Sequence, residues 1–143
     1  MSRPHVLFLC THNSARSQMA EGLLRHKATD RFEAFSAGTH AESVNPLAVT
    51  VMSEVGIDIS HQRSKPIEDF AGRRFDIVIT VCDRAREECP YFPAPVQQIH
   101  WLIQDPTSTE GGHDARLEAF RKARNELDQR IALFLSDHPP YTD

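Results

Sequence analysis

HVLFLCTHNSARSQMAEG, residues 5–22, is the stretch that decides how the rest of the chain is read. His5 to Leu9 is a short apolar run rich in strand formers and too short for a helix. Gln18 to Ala28 follows with Met19, Leu23 and Leu24 at helical spacing, facing inward. Between them lies Cys10-Thr11-His12-Asn13-Ser14-Ala15-Arg16-Ser17, small or polar throughout. A strand, a compact polar loop and a helix in direct succession form the opening of a parallel α/β unit.

The remaining elements continue that alternation. Phe32 to Phe35 is a weak second strand. Pro46 can open a helix that carries Leu47, Val51, Met52 and Val55 on one side before Gly56 stops it. Phe75 to Val81 is a nearly continuous apolar run, the pattern of a strand buried on both faces. Gln98 to Leu102 reads as a fourth strand, and Trp101 as core. Asp114 to Leu135 is a long amphipathic helix with Leu117, Phe120, Leu127, Ile131 and Phe134 on one face and charges on the other, a solvated face. Without repeats or a linker, residues 1–143 are expected to form one domain: a four-stranded parallel sheet flanked by helices in three layers. Ligands in such folds sit beyond the carboxyl ends of the strands. Cys10, Cys82 and Asp105 fall there.

Composition sets limits. The 143 residues carry a net charge of −4, which gives no basic footprint for nucleic acid. No apolar run reaches membrane length, and no charged-then-apolar leader precedes Leu9. A cytoplasmic setting is expected, and no sticky surface stripe argues for more than a monomer. The three cysteines, 10, 82 and 89, are an odd count. In a reducing compartment such thiols are more often catalytic or metal-binding than structural. Cys82 and Cys89 lack the close ligand spacing of a zinc knuckle, and the histidines show no metal-ligand grouping, so no metal is expected.

The loop itself suggests chemistry. Successive backbone N–H groups of Thr11, His12, Asn13, Ser14, Ala15 and Arg16, closed by a helix N-terminus, can wrap a tetrahedral anion. Arg16 adds a planar fork that matches two of its oxygens. The same positive field favours the thiolate of Cys10 as a nucleophile. Ser17 either donates to that thiolate or caps the helix. Asp105-Pro106, after the fourth strand, either makes a plain turn or brings a carboxylic acid over the anion. His12 is expected to point to solvent. If residues 83–88 form a helix, Cys82 and Cys89 lie roughly 10 Å apart along its axis. A disulfide needs Cα atoms within about 7 Å, so joining them would require that helix to unwind.

VLFLCTHNSARSQMAEG resembles the phosphate-binding loop of the low-molecular-weight protein tyrosine phosphatase family, and more particularly the arsenate reductases that share its fold. The likeness extends through Ser36-Ala37-Gly38-Thr39, Val55-Gly56-Ile57-Asp58 and Thr80-Val81-Cys82 to Asp105-Pro106. It implies a reductase in which Cys10 attacks arsenate and Asp105 protonates the departing oxygen. Cys82 and Cys89 would then carry the oxidation outward as Cys10–Cys82 and Cys82–Cys89 disulfides, reduced by an external thiol donor of the thioredoxin kind, with no bound cofactor. It also implies the alternative, a phosphotyrosine phosphatase that uses only Cys10, Arg16 and Asp105. Some family members hold potassium near the loop through an Asn, a Glu, a Ser and an Asp. Asn13, Glu21 and Ser36 match the first three, but Lys65 stands in the Asp position, where its ammonium would replace the ion or lie on a solvated surface. Ala15 replaces a second loop cysteine and removes any disulfide within the loop.

Overall fold

Four parallel strands form the sheet, β1 (His5–Cys10), β2 (Glu33–Gly38), β3 (Ile77–Thr80) and β4 (Gln97–His100), in the order β2-β1-β3-β4. The computed structural model describes residues 3–83, 92 and 97–138. Cys89 and the expected helix over residues 83–88 therefore lie outside the described residues, apart from Asp83.

β1 is central because it is apolar on both faces. Val6, Phe8 and Cys10 point into the larger core, and Leu7 and Leu9 into the smaller one. The larger core is roofed by α1 (Arg16–Ala28), α2 (Pro46–Ser53) and α3 (His113–Asp137), which bring Met19, Leu24, Met52, Phe120, Leu127 and Ile131. On the opposite face Leu7, Leu9 and Val78 pack against Phe75, Phe92 and Phe70, the last from a short 3₁₀ turn (Ile67–Phe70). Trp101 is buried in the larger core. Among the described residues, no helix is long and apolar enough to cross a membrane.

Several boundaries differ from the sequence reading, each for a tertiary reason. α1 starts at Arg16, two residues before Gln18, so Arg16 and Ser17 belong to its first turn. β2 runs on to Gly38 because its register pairs Cys10 with Gly38. β3 is confined to Ile77–Thr80, although Phe75 and Val81 on either side of it are fully buried. α2 stops at Ser53, and Gly56 takes φ +80° in the turn that follows.

The strand order reverses between β1 and β3, which opens a crevice at their carboxyl ends. Leu9 pairs with Thr80, and the Val81 N–H donates to Leu9 O at 2.8 Å. Val81 thus runs on beside the end of β1, and Cys82 lies two residues beyond the end of β3. Strands lie about 5 Å apart, so the fold alone brings the ends carrying Cys10 and Cys82 together.

One surface cluster ties α2 to α3. Arg121 grips Glu54 through Nη2 at 2.7 Å and Nε at 3.0 Å, and Arg124 adds Nη1 at 2.9 Å. The Arg121 hydrogen bond, with help from Arg124, lowers the Glu54 carboxyl to about 2. Its folded-state pKa lies below the unfolded value, so its contribution is present above the ordinary carboxylate pKa of 4.5 and is lost as pH falls toward 2. Both partners are solvated, so the effect is small and screened by salt. Glu54→Gln is expected to lower Tm at pH 7 in low salt, with the gap to wild type closing between pH 4.5 and 2; a gap independent of pH would refute the assignment.

Candidate active site

The 11–15 loop is held open by hydrogen bonds to its carbonyl oxygens from outside. Thr11 O accepts from His40 N at 2.8 Å, and Ser14 O from Asn45 N at 2.8 Å. His12 O accepts from Ser64 Oγ at 3.0 Å and Glu42 N at 3.2 Å, and Asn13 O from Gln18 Nε2 at 3.0 Å. In a planar trans peptide the following N–H points the opposite way. With the carbonyls of residues 11–14 drawn outward, the N–H groups of residues 12–15 are turned toward the concavity above Cys10. Asn13 N–H shows this directly, donating to Cys10 Sγ at 3.3 Å. Such a run of inward amides is an anion nest.

Two residues make this path possible. Asn13 adopts φ +50°, a left-handed conformation that Asn tolerates better than most residues. Gly38 lets the end of β2 press against the loop. A Cβ there would meet Thr11 O at 2.6 Å, Asn13 N at 2.8 Å and Cys10 O at 2.9 Å. All three are backbone atoms, which cannot swing aside.

Cys10 is a free thiol, 2% exposed. Its sulfur also lies 2.9 Å from Ser17 Oγ. Ser17 Oγ accepts from Asn13 Nδ2 at 2.7 Å, which leaves its own hydrogen for the sulfur. Ala15 is the N-cap of α1 and no side chain caps it, so of the two roles open to Ser17 the structure assigns the one at the thiol. Asn13 Oδ1 is fixed in turn by Gln18 Nε2 at 2.9 Å and Lys65 N at 2.8 Å.

Arg16 is 2% exposed, and its Nη1 donates to Ile103 O at 3.0 Å. Its Nη2 is 3.7 Å from Asp105 Oδ2. Asp105 also begins a 3₁₀ turn (Pro106–Ser108), its Oδ1 accepting from Thr107 N at 3.0 Å and Thr107 Oγ1 at 2.7 Å. The turn aims this carboxyl at Arg16, a placement compatible with both expected roles of Asp105. A cleft of about 450 Å³ opens here, lined by Thr11, His12, Asp83, Asp105 and Lys122 among others. Cys10 itself is buried and is not among the described residues lining the cleft. His12 is half-exposed and not free: its Nδ1 contacts Glu42 Oε1 at 3.1 Å and His40 O at 3.3 Å.

Cys82 is fully buried and engaged in a disulfide, while Cys10 is not. Cys89 lies outside the described residues.

Behind the loop, Glu21 is 4% exposed and accepts from Ser36 Oγ at 2.6 Å. The Lys65 ammonium lies 3.6 Å from Glu21 Oε1 and donates to Arg63 O at 2.7 Å. Burial pushes the Lys65 pKa down, and attraction to Glu21 opposes that. Glu21 therefore meets the ammonium, Ser36 meets Glu21, and Asn13 meets the Lys65 backbone N–H. Lys65 is not on a solvated surface; its side chain is 14% exposed.

The low molecular weight phosphotyrosine protein phosphatase family matches residues 5–137. The chain belongs to that family. It is 45% identical to an arsenate reductase of Shouchella clausii (strain KSM-K16) over 134 residues, covering 94% of this chain and 96% of the relative. A solved arsenate reductase in its phosphate-binding state superposes with a TM-score of 0.76 at 33% identity, covering 94% and 98% of the two chains. A thioredoxin-dependent arsenate reductase of Corynebacterium glutamicum gives a TM-score of 0.62 at 34% identity, covering 92% of this chain and 63% of that one.

The sequence had singled out Cys10, Arg16, Ser17 and Asp105, and the structure gathers them at one sheet end. It did not single out Gln18, Gly38 or Thr107. Because the Lys65 ammonium and the Arg25 guanidinium already face Glu21, exchanging sodium for potassium at constant ionic strength is expected to leave Tm and Cys10 alkylation unchanged. A potassium-specific rise in either would contradict that role for Lys65.

Proposed function

We propose that this chain reduces arsenate to arsenite through a Cys10 adduct and a thiol relay. The observation that carries the reading is the free Cys10 thiol, under its inward-facing amides, beside the end of β3 where Cys82 is held in a disulfide. Phosphate ester hydrolysis needs only the first of these thiols.

In the proposed sequence the Cys10 thiolate attacks arsenic and forms an S–As bond. One As–O bond breaks, and Asp105 gives its proton to the departing oxygen, which leaves as water. The loop amides and Arg16 balance the charge on the remaining oxygens. The Cys82 thiolate then attacks Cys10 sulfur. The S–As electron pair stays on arsenic, which leaves as arsenite, and a Cys10–Cys82 disulfide remains. Attack by Cys89 on Cys82 frees Cys10 and leaves a Cys82–Cys89 disulfide for an external dithiol to reduce. A free Cys10 with Cys82 oxidised is the state expected at the end of this relay. Thioredoxin is the proposed reductant, on the strength of the thioredoxin-dependent relative. The hydrolysis of aryl phosphates is the competing reading. It would need only Cys10, Arg16 and Asp105, but the cleft lacks an aromatic wall among the described residues.

Incubation with arsenate, thioredoxin, thioredoxin reductase and NADPH is expected to consume NADPH only when arsenate is present, with the loss abolished in Cys82→Ser and Cys89→Ser. Rapid aryl phosphate hydrolysis that survives both substitutions, with no arsenate-dependent NADPH loss, would replace the reductase by a phosphatase.

A further inference from the structure

We infer that Thr107 is a positioning residue which determines the oxygen of Asp105 that carries the transferable proton. This rests on the reading of Asp105 as the proton donor. Asp105 Oδ1 accepts both the Thr107 N–H at 3.0 Å and the Thr107 hydroxyl at 2.7 Å. A carboxyl oxygen offers two in-plane lone pairs. With both engaged by donors, Oδ1 has no favourable place for a proton, so the proton of the neutral acid resides on Oδ2.

Oδ2 is the oxygen that faces the reaction. It is the one 3.7 Å from Arg16 Nη2, on the side where an oxyanion would meet the arginine fork. When the acid acts, the proton leaves Oδ2 for the departing oxygen and the carboxyl becomes an anion. The two Thr107 bonds then become charge-assisted and stronger. An interaction that strengthens as the proton moves lowers the barrier rather than merely binding the ground state. Without the hydroxyl, one lone pair of Oδ1 is released. The proton can then sit on the wrong oxygen, and the carboxyl is free to rotate about its last bond.

The turn does not depend on that hydroxyl. Ser108 Oγ donates to Asp105 O at 2.7 Å and Ser108 N at 3.2 Å, while Pro106 is buried at the first turn position. Thr107→Val therefore removes one hydrogen bond with nearly the same shape and retains the backbone bond. Thr107 is exposed, so a partial effect is expected, since water can replace the lost donor.

The test is a double-mutant cycle on kcat/KM, with Thr107→Val and Thr107→Ser made in the wild-type and Asp105→Ala backgrounds and Tm followed throughout. It is read on arsenate, or on an aryl phosphate should the chain prove a hydrolase, because the acid serves both reactions. Thr107→Val is expected to lower kcat/KM about tenfold at unchanged Tm, a fraction of what general acids commonly contribute. Thr107→Ser should stay within about twofold of wild type, since it keeps the donor. In the Asp105→Ala background Thr107→Val should cause no further loss, because a residue acting only through Asp105 has nothing left to position. Losses that multiply in the double variant, or a fully active Thr107→Val beside an impaired Asp105→Ala, would overturn the role of Thr107 alone. A fully active Asp105→Ala would overturn the acid reading and this inference with it.

Discussion

A peptide loop can turn its N–H groups toward an anion only if its carbonyls are satisfied elsewhere. Each buried polar group left without a partner costs about 1–3 kcal/mol. The 11–14 carbonyls meet that requirement through His40, Glu42, Asn45, Ser64 and Gln18, contributed by three separate parts of the chain. The anion nest is therefore a product of the tertiary fold rather than of its own six residues. The end of β2, the approach to α2, the 62–65 segment and the first turn of α1 all converge on it.

The same convergence supports the nucleophile. Gln18 is fully buried, and its amide nitrogen reaches Asn13 O, Asn13 Oδ1 and Arg63 O, while Gln62 donates to its oxygen at 2.8 Å. Asn13 is thereby held in its left-handed conformation and its own amide is aimed at Ser17, which faces Cys10. Glu21, Ser36 and Lys65 close the layer behind. Buried polar groups are tolerated when every member is satisfied, and here the connected set keeps the thiol and the loop amides in register.

How much of this was legible in the sequence follows from what each signal depends on. The β1–loop–α1 unit was readable because an apolar run of strand formers, a small polar loop and a helical pattern succeed one another locally. The extension of β2 through Ser36, Ala37 and Gly38 was not, since these small residues have weak strand preference and are ordered by pairing with β1. Polar Gln18 and Glu21 carry no local signal of burial. They are covered because Gln62, Arg63 and Lys65, far along the chain, pack over them. Asp105 was legible as an Asp-Pro pair after a strand, whereas its hold on Thr107 depends on the turn geometry. The role of Lys65 was visible as a substitution in a known pattern, but only its contacts with Glu21 and Arg63 decide between an internal cation and a surface lysine.

The central claim is that Cys10 is a nucleophile beneath an oxyanion site built from loop amides and Arg16. It is tested most directly by alkylating the reduced protein with iodoacetate at neutral pH and locating the label by mass spectrometry, with and without phosphate or sulfate. The account predicts rapid labelling of Cys10, slowed by either anion in wild type and unprotected in Arg16→Ala. An inert Cys10, or labelling that neither anion slows, would contradict it.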